Sequence, residues 1–164
     1  MKVCSLIISA LLSPVIICGQ IRTEVFTWHA DAGPVALYDD TALTDKRIDI
    51  YPDINENMAG CIVCIDAELE SCLRVAIEPL GIFFVKKGAL AVNTRNYDND
   101  SFFLYEAPDM ASRCVFQSTE QQTVIVYGVC NGWLWVEAKD QDRKSIRGWL
   151  PPNMQCGNPY TTCG

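Results

Sequence analysis

The chain reads as an all-β protein. Twelve short segments rich in Val, Ile, Phe, Trp and Tyr follow one another through its 164 residues, separated by a few polar or turn residues. Many of them alternate apolar and polar side chains, the period-2 pattern of strands with one buried face. The stretch Thr123 to Pro152, TVIVYGVCNGWLWVEAKDQDRKSIRGWLPP, adds two Gly-Trp steps inside such segments. Glycine in a strand lets it bend sharply or lets another backbone approach, so these observations together predict a small, strongly bent β-sheet. Sheets of that kind more often bind than transform.

In order, the segments are TEVFTW (23–28), VALY (35–38), RIDIY (47–51), CIVCI (61–65), LRVAI (73–77), IFFV (82–85) and ALAV (89–92). They continue with SFFLY (101–105), RCVF (113–116), TVIVYGV (123–129), WLWVEA (133–138) and IRGWL (146–150). Between residues 58 and 77 a second pattern competes. Met58, Cys61, Ile62, Ile65, Leu69, Cys72, Leu73 and Ala76 recur at helical spacing, whereas the β-branched Val63, Ile65, Val75 and Ile77 favour two strands. Asn131-Gly132 is suited to the left-handed dihedrals of a tight hairpin turn. Beyond that turn, Trp133 and Trp135 point to one face, Leu134 and Val136 to the other.

A faint internal repeat runs through the chain. Ile50 to Val63, IYPDINENMAGCIV, can be set against Leu104 to Phe116, LYEAPDMASRCVF, and Val85 to Val92, VKKGALAV, against Val129 to Val136, VCNGWLWV. This alignment places Ala89 opposite Trp133. It predicts either two related small barrels in tandem or one barrel preceded by an unrelated β-rich segment, with a boundary in the polar stretch NTRNYDND, 93–100.

The amino terminus has the form of a secretory signal peptide: Lys2, an apolar run from Cys4 to Cys18, then Gly19 and Gln20. The run is too short for a membrane span. Ile17 stands where lipoprotein processing at Cys18 prefers a small residue, so cleavage after Gly19 is expected, and no stable membrane insertion after it. Export implies a secreted or periplasmic product. The formal charge is −7, and loss of Lys2 leaves twelve basic against twenty acidic residues. That balance argues against nucleic acid, which requires basic contacts to phosphates, and suits a cationic protein or peptide partner.

Seven cysteines follow residue 20: Cys61, Cys64, Cys72, Cys114, Cys130, Cys156 and Cys163. In an oxidising compartment they predict a disulfide-stabilised fold. The odd count leaves one over. Cys156 with Cys163 is the easiest local closure, across GNPYTT, and Cys114 with Cys130 could join neighbouring strands. Cys61 and Cys64 have the spacing of a redox pair but no helix start to activate a thiolate, so structural disulfides are expected there.

The second half resembles the bacterial Src-homology-3-like (SH3-like) domain, a small partly open barrel of exported proteins. The matching positions are Leu104, Tyr105, Ala107 and Pro108 in a loop, Val124, Ile125 and Val126 in a central strand, Asn131, Gly132, Trp133, Trp135 and Val136 in the first signature, and Gly148, Trp149 and Leu150 in the closure. The resemblance covers about residues 91–152. It departs from the pattern in NYDNDSFF, inserted after Val92, Asn93, Thr94 and Arg95. After the signal peptide at 1–19, it implies a β-rich N-terminal domain at 20–92, either a degenerate copy or an unrelated segment, then an SH3-like domain at 93–152 and a cysteine-containing tail at 153–164. Members look like binding modules for cell-wall peptides or proteins.

An aromatic groove of Tyr105, Tyr127, Trp135 and Trp149 would suit an extended or proline-containing peptide. Asp53 and Glu56, in an acidic loop, are candidate contacts for a basic partner. His29 is the single histidine, so a Ser-His-Asp or Cys-His mechanism would depend on it alone, and no catalytic residue is assigned. The carboxylates of Asp39, Asp40, Asp45, Asp49, Asp53 and Glu56 lack calcium-loop spacing, and Cys61, Cys64 and Cys72 lack a partnering histidine, so no metal and no cofactor are expected. Asn99-Asp100-Ser101 matches an N-glycosylation acceptor. These readings point to an exported, noncatalytic module recognising a cell-envelope peptide or protein. The alternative is an acidic inhibitor or immunity-type partner of a cationic secreted hydrolase.

Overall fold

A computed structural model describes residues 21–29, 33–53, 60–97 and 100–160. The fold is all-β. In chain order the strands are β1 (Thr23–Thr27), β2 (Val35–Tyr38), β3 (Lys46–Ile50), β4 (Ile62–Glu68), β5 (Cys72–Ile77), β6 (Gly81–Lys86) and β7 (Leu90–Thr94). They continue as β8 (Phe102–Tyr105), β9 (Cys114–Ser118), β10 (Thr123–Cys130), β11 (Trp133–Lys139), β12 (Ser145–Leu150) and β13 (Gln155–Cys156), with a 3-10 turn over Pro152–Met154. Each of the twelve expected segments forms a strand. Over residues 60–77 strands win over the helix, because Val63, Ile65, Val75 and Ile77 all reach the core by alternation. The two-residue strand β13 is too short to leave a periodic signal.

The strands form one continuous sheet in the order β3-β2-β6-β5-β4-β1-β7-β10-β11-β12-β8-β9, with β13 also on β7. This path contains the same arrangement twice. From β1 it runs β4, β5, β6, β2, β3, and from β7 it runs β10, β11, β12, β8, β9, so each strand of the second half repeats the strand six places earlier. The irregularities repeat too. The β4–β5 ladder bulges between Ile65 and Ala67 and the β10–β11 ladder between Val126 and Gly128. The β2–β3 ladder shifts between Leu37 and Tyr38, and the β8–β9 ladder between Leu104 and Tyr105. A bulge fixes register, so these matches align the halves residue by residue.

Buried positions follow the alignment. Val25, Leu37, Val63, Ile65, Leu73, Val75 and Val85 have Val92, Leu104, Val124, Val126, Leu134, Val136 and Leu150 as counterparts, and all are almost fully buried. Even hydrogen bonds outside the ladders recur. Thr27 N–H donates to Cys61 O at 2.9 Å while Cys61 N–H donates to Thr27 Oγ1 at 2.9 Å; Thr94 and Gln122 make the same reciprocal pair at 2.8 and 2.9 Å. Trp28 N–H donates to Ala89 O as Arg95 N–H donates to Met154 O, at 2.8 and 2.9 Å.

The halves share β7. One edge of this strand pairs with β10; along the other, β1 occupies Leu90 and Ala91 while β13 occupies Asn93 and Thr94. The expected boundary between residues 92 and 93 therefore falls inside a strand bonded to both halves. Glu68, at the end of β4, ties them again: Lys87 donates to its Oε1 at 2.6 Å and Val129 N–H to its Oε2 at 2.9 Å.

The repeat stands in a different alignment from the one the motifs suggested. Tyr105 corresponds to Tyr38, not Tyr51, because both end the second strand of their half opposite the sixth. Trp133 corresponds to Cys72, and Ala89 to Met154. The similarity of VKKGALAV to VCNGWLWV came from turn residues at two different turns, whereas the true register is carried by buried Val and Leu and by the bulges.

Candidate functional site

The Asn131-Gly132 turn adopts the expected left-handed dihedrals, φ 50° and 81°, and joins β10 to β11 with Cys130 opposite Trp133. Alternation then buries Leu134 and Val136 completely and leaves Trp133 and Trp135 half-buried on the opposite face. On β12 the half-buried Trp149 stands directly across from Trp135, and Tyr105 of β8 stands across from Trp149. Three strands thus place Trp135, Trp149 and Tyr105 in one cross-strand row. The indoles of Trp135 and Trp149 lie 5.4 Å apart at 54°, and Tyr105 meets Trp133 edge to face at 5.7 Å. Tyr105 is nearly buried and forms the floor of the row.

Tyr127 is the bulged residue of β10. Its ring passes close to Gly88, where a Cβ would sit 3.1 Å from it, and carries the Arg147 guanidinium 4.2 Å from its centroid. All four aromatic residues expected in a groove therefore belong to the β10–β11–β12–β8 face. Trp133 and Arg147 also belong there. Trp133 was legible from its sharing a strand parity with Trp135; Arg147 carried no local signal, since only the strand order, with β12 two places from β10, brings it over Tyr127.

A polar patch continues the face. Glu137, opposite Arg147, accepts from Lys139 Nζ at 3.1 Å, Ser145 Oγ at 2.8 Å and Arg147 at 3.0 Å. Burial raises its carboxyl pKa, but the bonds from Ser145, Lys139 and Arg147 outweigh that and hold it below the ordinary value of 4.5.

The first half bears different residues at the same positions. Its bulged residue is Asp66 where the second half has Tyr127, and Arg74 and Phe84 stand where Trp135 and Trp149 do. Arg74 Nε donates to Asp66 Oδ1 at 2.7 Å, and this bond to the carboxylate raises the guanidinium pKa. The first half thus keeps aromatics, Tyr38 and Phe84, in the places of Tyr105 and Trp149, but has an ion pair in the places of Tyr127 and Trp135, so the full row belongs to the second half.

His29 lies elsewhere, after β1. Its Nδ1 is 2.9 Å from Gly33 O, which can only accept, so Nδ1 carries the proton; Nε2, 2.9 Å from Thr27 Oγ1, accepts the threonine hydroxyl. Asn96 holds the corresponding place in the second half, with Oδ1 accepting from Thr94 Oγ1 at 2.7 Å. Both ring nitrogens of His29 are thus engaged in the same structural role as an amide. Among the described residues no three His, Cys, Asp or Glu side chains converge as a metal site.

The cysteines depart from expectation. Cys130 and Cys156, both buried, each take part in a disulfide, whereas Cys61, Cys64, Cys72 and Cys114 are free thiols. A Cys114–Cys130 cross-link is not formed: Cys114 opens β9 and Cys130 ends β10, with β11, β12 and β8 between them in the sheet. The two thiols of CIVC are also free. Burial pushes the Cys61 thiol up, and burial followed by the nearby Glu24 pushes up Cys64, the reverse of what an attacking thiolate needs. Cys163, Glu56 and Asn99 lie outside the described residues; Asp53 is exposed at the end of residues 33–53.

No family model matches the chain, and no curated protein matches it. Among solved structures, NlpC2 from Trichomonas vaginalis is similar at 15% identity and a TM-score of 0.34, over 83% of this chain and 48% of its own. NlpC1 from Trichomonas vaginalis is similar at 14% identity and a TM-score of 0.35, over 87% of this chain and 50% of its own. The chain spans about half the length of these two proteins, and a likeness so distant carries no weight for function.

Proposed function

We propose that the chain is an exported, noncatalytic binding module of SH3-like type, repeated in tandem, that recognises a cell-envelope peptide or protein through the row Tyr127, Trp135, Trp149 and Tyr105. The order β13-β7-β10-β11-β12, with the β8–β9 hairpin laid against β12, supports a small partly open barrel for the second half. The first half has the same order around β1. The observation that carries the reading is the contrast between equivalent positions: the core and the Tyr38–Phe84 and Tyr105–Trp149 pairs are kept in both halves, while Tyr127 and Trp135 of the second half have the ion pair Asp66–Arg74 in their place. Core packing does not require that difference. Half-buried tryptophans on a sheet face offer apolar area with a polar edge at small entropic cost, the composition of a peptide-binding surface.

Noncatalytic action is supported by the repeat, since the place of His29 is held in the second half by Asn96, an amide that cannot act as a base. Titration of the oxidised protein with soluble cell-wall peptides and with isolated envelope proteins tests the reading. Saturable binding that is lost in Trp135→Ala and Trp149→Ala is the expected result. Absence of saturable binding to every envelope component would remove its content.

A further inference from the structure

The two ends of the sheet, β3 and β9, differ in how they meet solvent. β3 reads KRIDI, with Lys46 and Arg47 54% and 69% exposed and ion-paired to Asp49 and Asp39 at 2.9 and 4.0 Å. Charges on an edge strand discourage further pairing. β9 reads CVFQS and has neither charge nor proline. Among the described residues its one strand partner is β8, so the backbone along its outer edge has no partner strand, although Phe116 O accepts from Cys114 Sγ at 3.2 Å.

An open groove of about 530 Å³ adjoins that edge, lined by Phe116, Ser118, Glu120 and Gln122 on one side and by Asp140 and Asp142 of the β11–β12 loop on the other. Three of the eleven residues lining the groove are carboxylates, and one of them, Asp140, already accepts Lys144 N–H through Oδ1 at 2.8 Å. Lys139, also at the groove, has its ammonium turned to Glu137 and Ser145. The side chain of Asp142 is 76% exposed, and its Lys144 contact is long, at 3.5 Å. The groove is distinct from the aromatic row: Trp135 and Lys139 stand four residues apart on β11, about 13 Å along a strand.

We propose that the β9 edge and this groove receive an extended, basic peptide segment of a partner protein, which adds a strand beside β9. Main-chain bonds to Val115–Ser118 supply the attachment, and the groove takes alternate side chains of the incoming strand. The carboxylates of Glu120, Asp140 and Asp142 select a lysine or arginine among them. The proposal is independent of any ligand on the aromatic face.

The probe is the acetylated, amidated peptide Lys-Val-Thr-Val-Lys-Val-Thr, used beside a counterpart with both lysines replaced by glutamate and one N-methylated at every residue. Hydrogen exchange on the full chain is expected to slow at least tenfold over residues 115–118 with the first peptide alone. The double variant E120K/D142K is expected to weaken its binding at least tenfold, while Lys46→Ala on β3, at the opposite end of the sheet, leaves it unchanged. Equal binding of the N-methylated or acidic peptide to the wild type overturns the proposal without relying on any variant. Protection of β9 that grows with protein concentration in the absence of peptide also overturns it, because a second copy of the chain would then be the occupant.

Discussion

Trp135 and Trp149 face each other across β11 and β12 with ring centroids 5.4 Å apart, and each stands half-buried on the outer face of a sheet whose inner face is closed by Leu134 and Leu150. Their positions in the first half hold Arg74 and Phe84. Trp135→Ala should therefore leave the fold intact at a cost of about 1–3 kcal/mol, the range for losing an aromatic cross-strand pair and part of its burial. Thermal unfolding measures that cost, and ligand titration of the same variant should show loss of binding with the sheet's circular dichroism unchanged.

The reciprocal bonds of Thr27 with Cys61 and of Thr94 with Gln122 give a direct test of the repeat. Both threonines are buried, at 1% and 0% exposure, and each hydroxyl also donates to its neighbour, His29 or Asn96. Thr27→Val and Thr94→Val should each cost about 1–3 kcal/mol, since each leaves a part-buried amide donor, Cys61 N–H or Gln122 N–H, without its side-chain acceptor. Denaturant midpoints falling by similar amounts in the two variants would match their equivalent places. A loss in one and none in the other would mean that the halves are held differently.

Two glycines allow close packing that a methyl group would disturb. A Cβ on Gly148 would lie 2.8 Å from Leu104 Cβ and 2.9 Å from Val115 Cγ2, both in the packed interior beneath β12. Gly148→Ala should cost about 1–3 kcal/mol through overpacking. At Gly128 the obstacle is Glu68 Oε2 at 2.5 Å, the atom that accepts Val129 N–H. Gly128→Ala should displace this carboxylate and weaken the tie between the halves, seen as faster amide exchange at Val129.

Glu137 predicts an acid limb in stability. Its folded pKa lies below the ordinary 4.5, so its contribution is fully present above that value and is lost as the pH falls through the lower folded value. Urea midpoints measured from pH 7 down to pH 3 should fall less steeply in Glu137→Gln than in the wild type at the acid end. Parallel curves would mean that the bonds from Lys139, Ser145 and Arg147 do not favour the ionised carboxylate.

Thiol labelling of the oxidised native protein should follow exposure. Cys114 is exposed, Cys61 and Cys64 are half-buried with raised pKa values, and Cys72 is fully buried. Iodoacetamide at neutral pH, read by mass spectrometry, should modify Cys114 first and Cys72 only after denaturation. Rapid labelling of Cys72 in native buffer would contradict its packing beneath the Thr41 loop, where its Sγ lies 3.6 Å from Thr41 O.

The alternation of apolar residues determined the strands. Val, Ile and Leu at every second position can bury one face only as extended chain, so the twelve segments, the inward Leu134 and Val136 and the outward Trp133 and Trp135 were all legible locally. The Asn131-Gly132 turn was legible for the same reason, because its backbone geometry is set by two adjacent residues. Strand order, the sharing of β7, the bonds of Glu68 to Val129 and Lys87, and the stacking of Arg147 on Tyr127 were decided by tertiary structure. Each joins residues far apart in the chain, and no periodicity encodes which strands meet. The repeat falls between the two. The sequence carried it in buried positions whose side chains interchange freely among Val, Ile and Leu, so similar-looking turn motifs suggested a false alignment, and only the matching bulges and hydrogen bonds of the folded sheet fixed the true one. The absence of a Cys114–Cys130 bond was decided in the same way, since a disulfide forms only where the fold brings two thiols within reach, and β11, β12 and β8 keep these two apart.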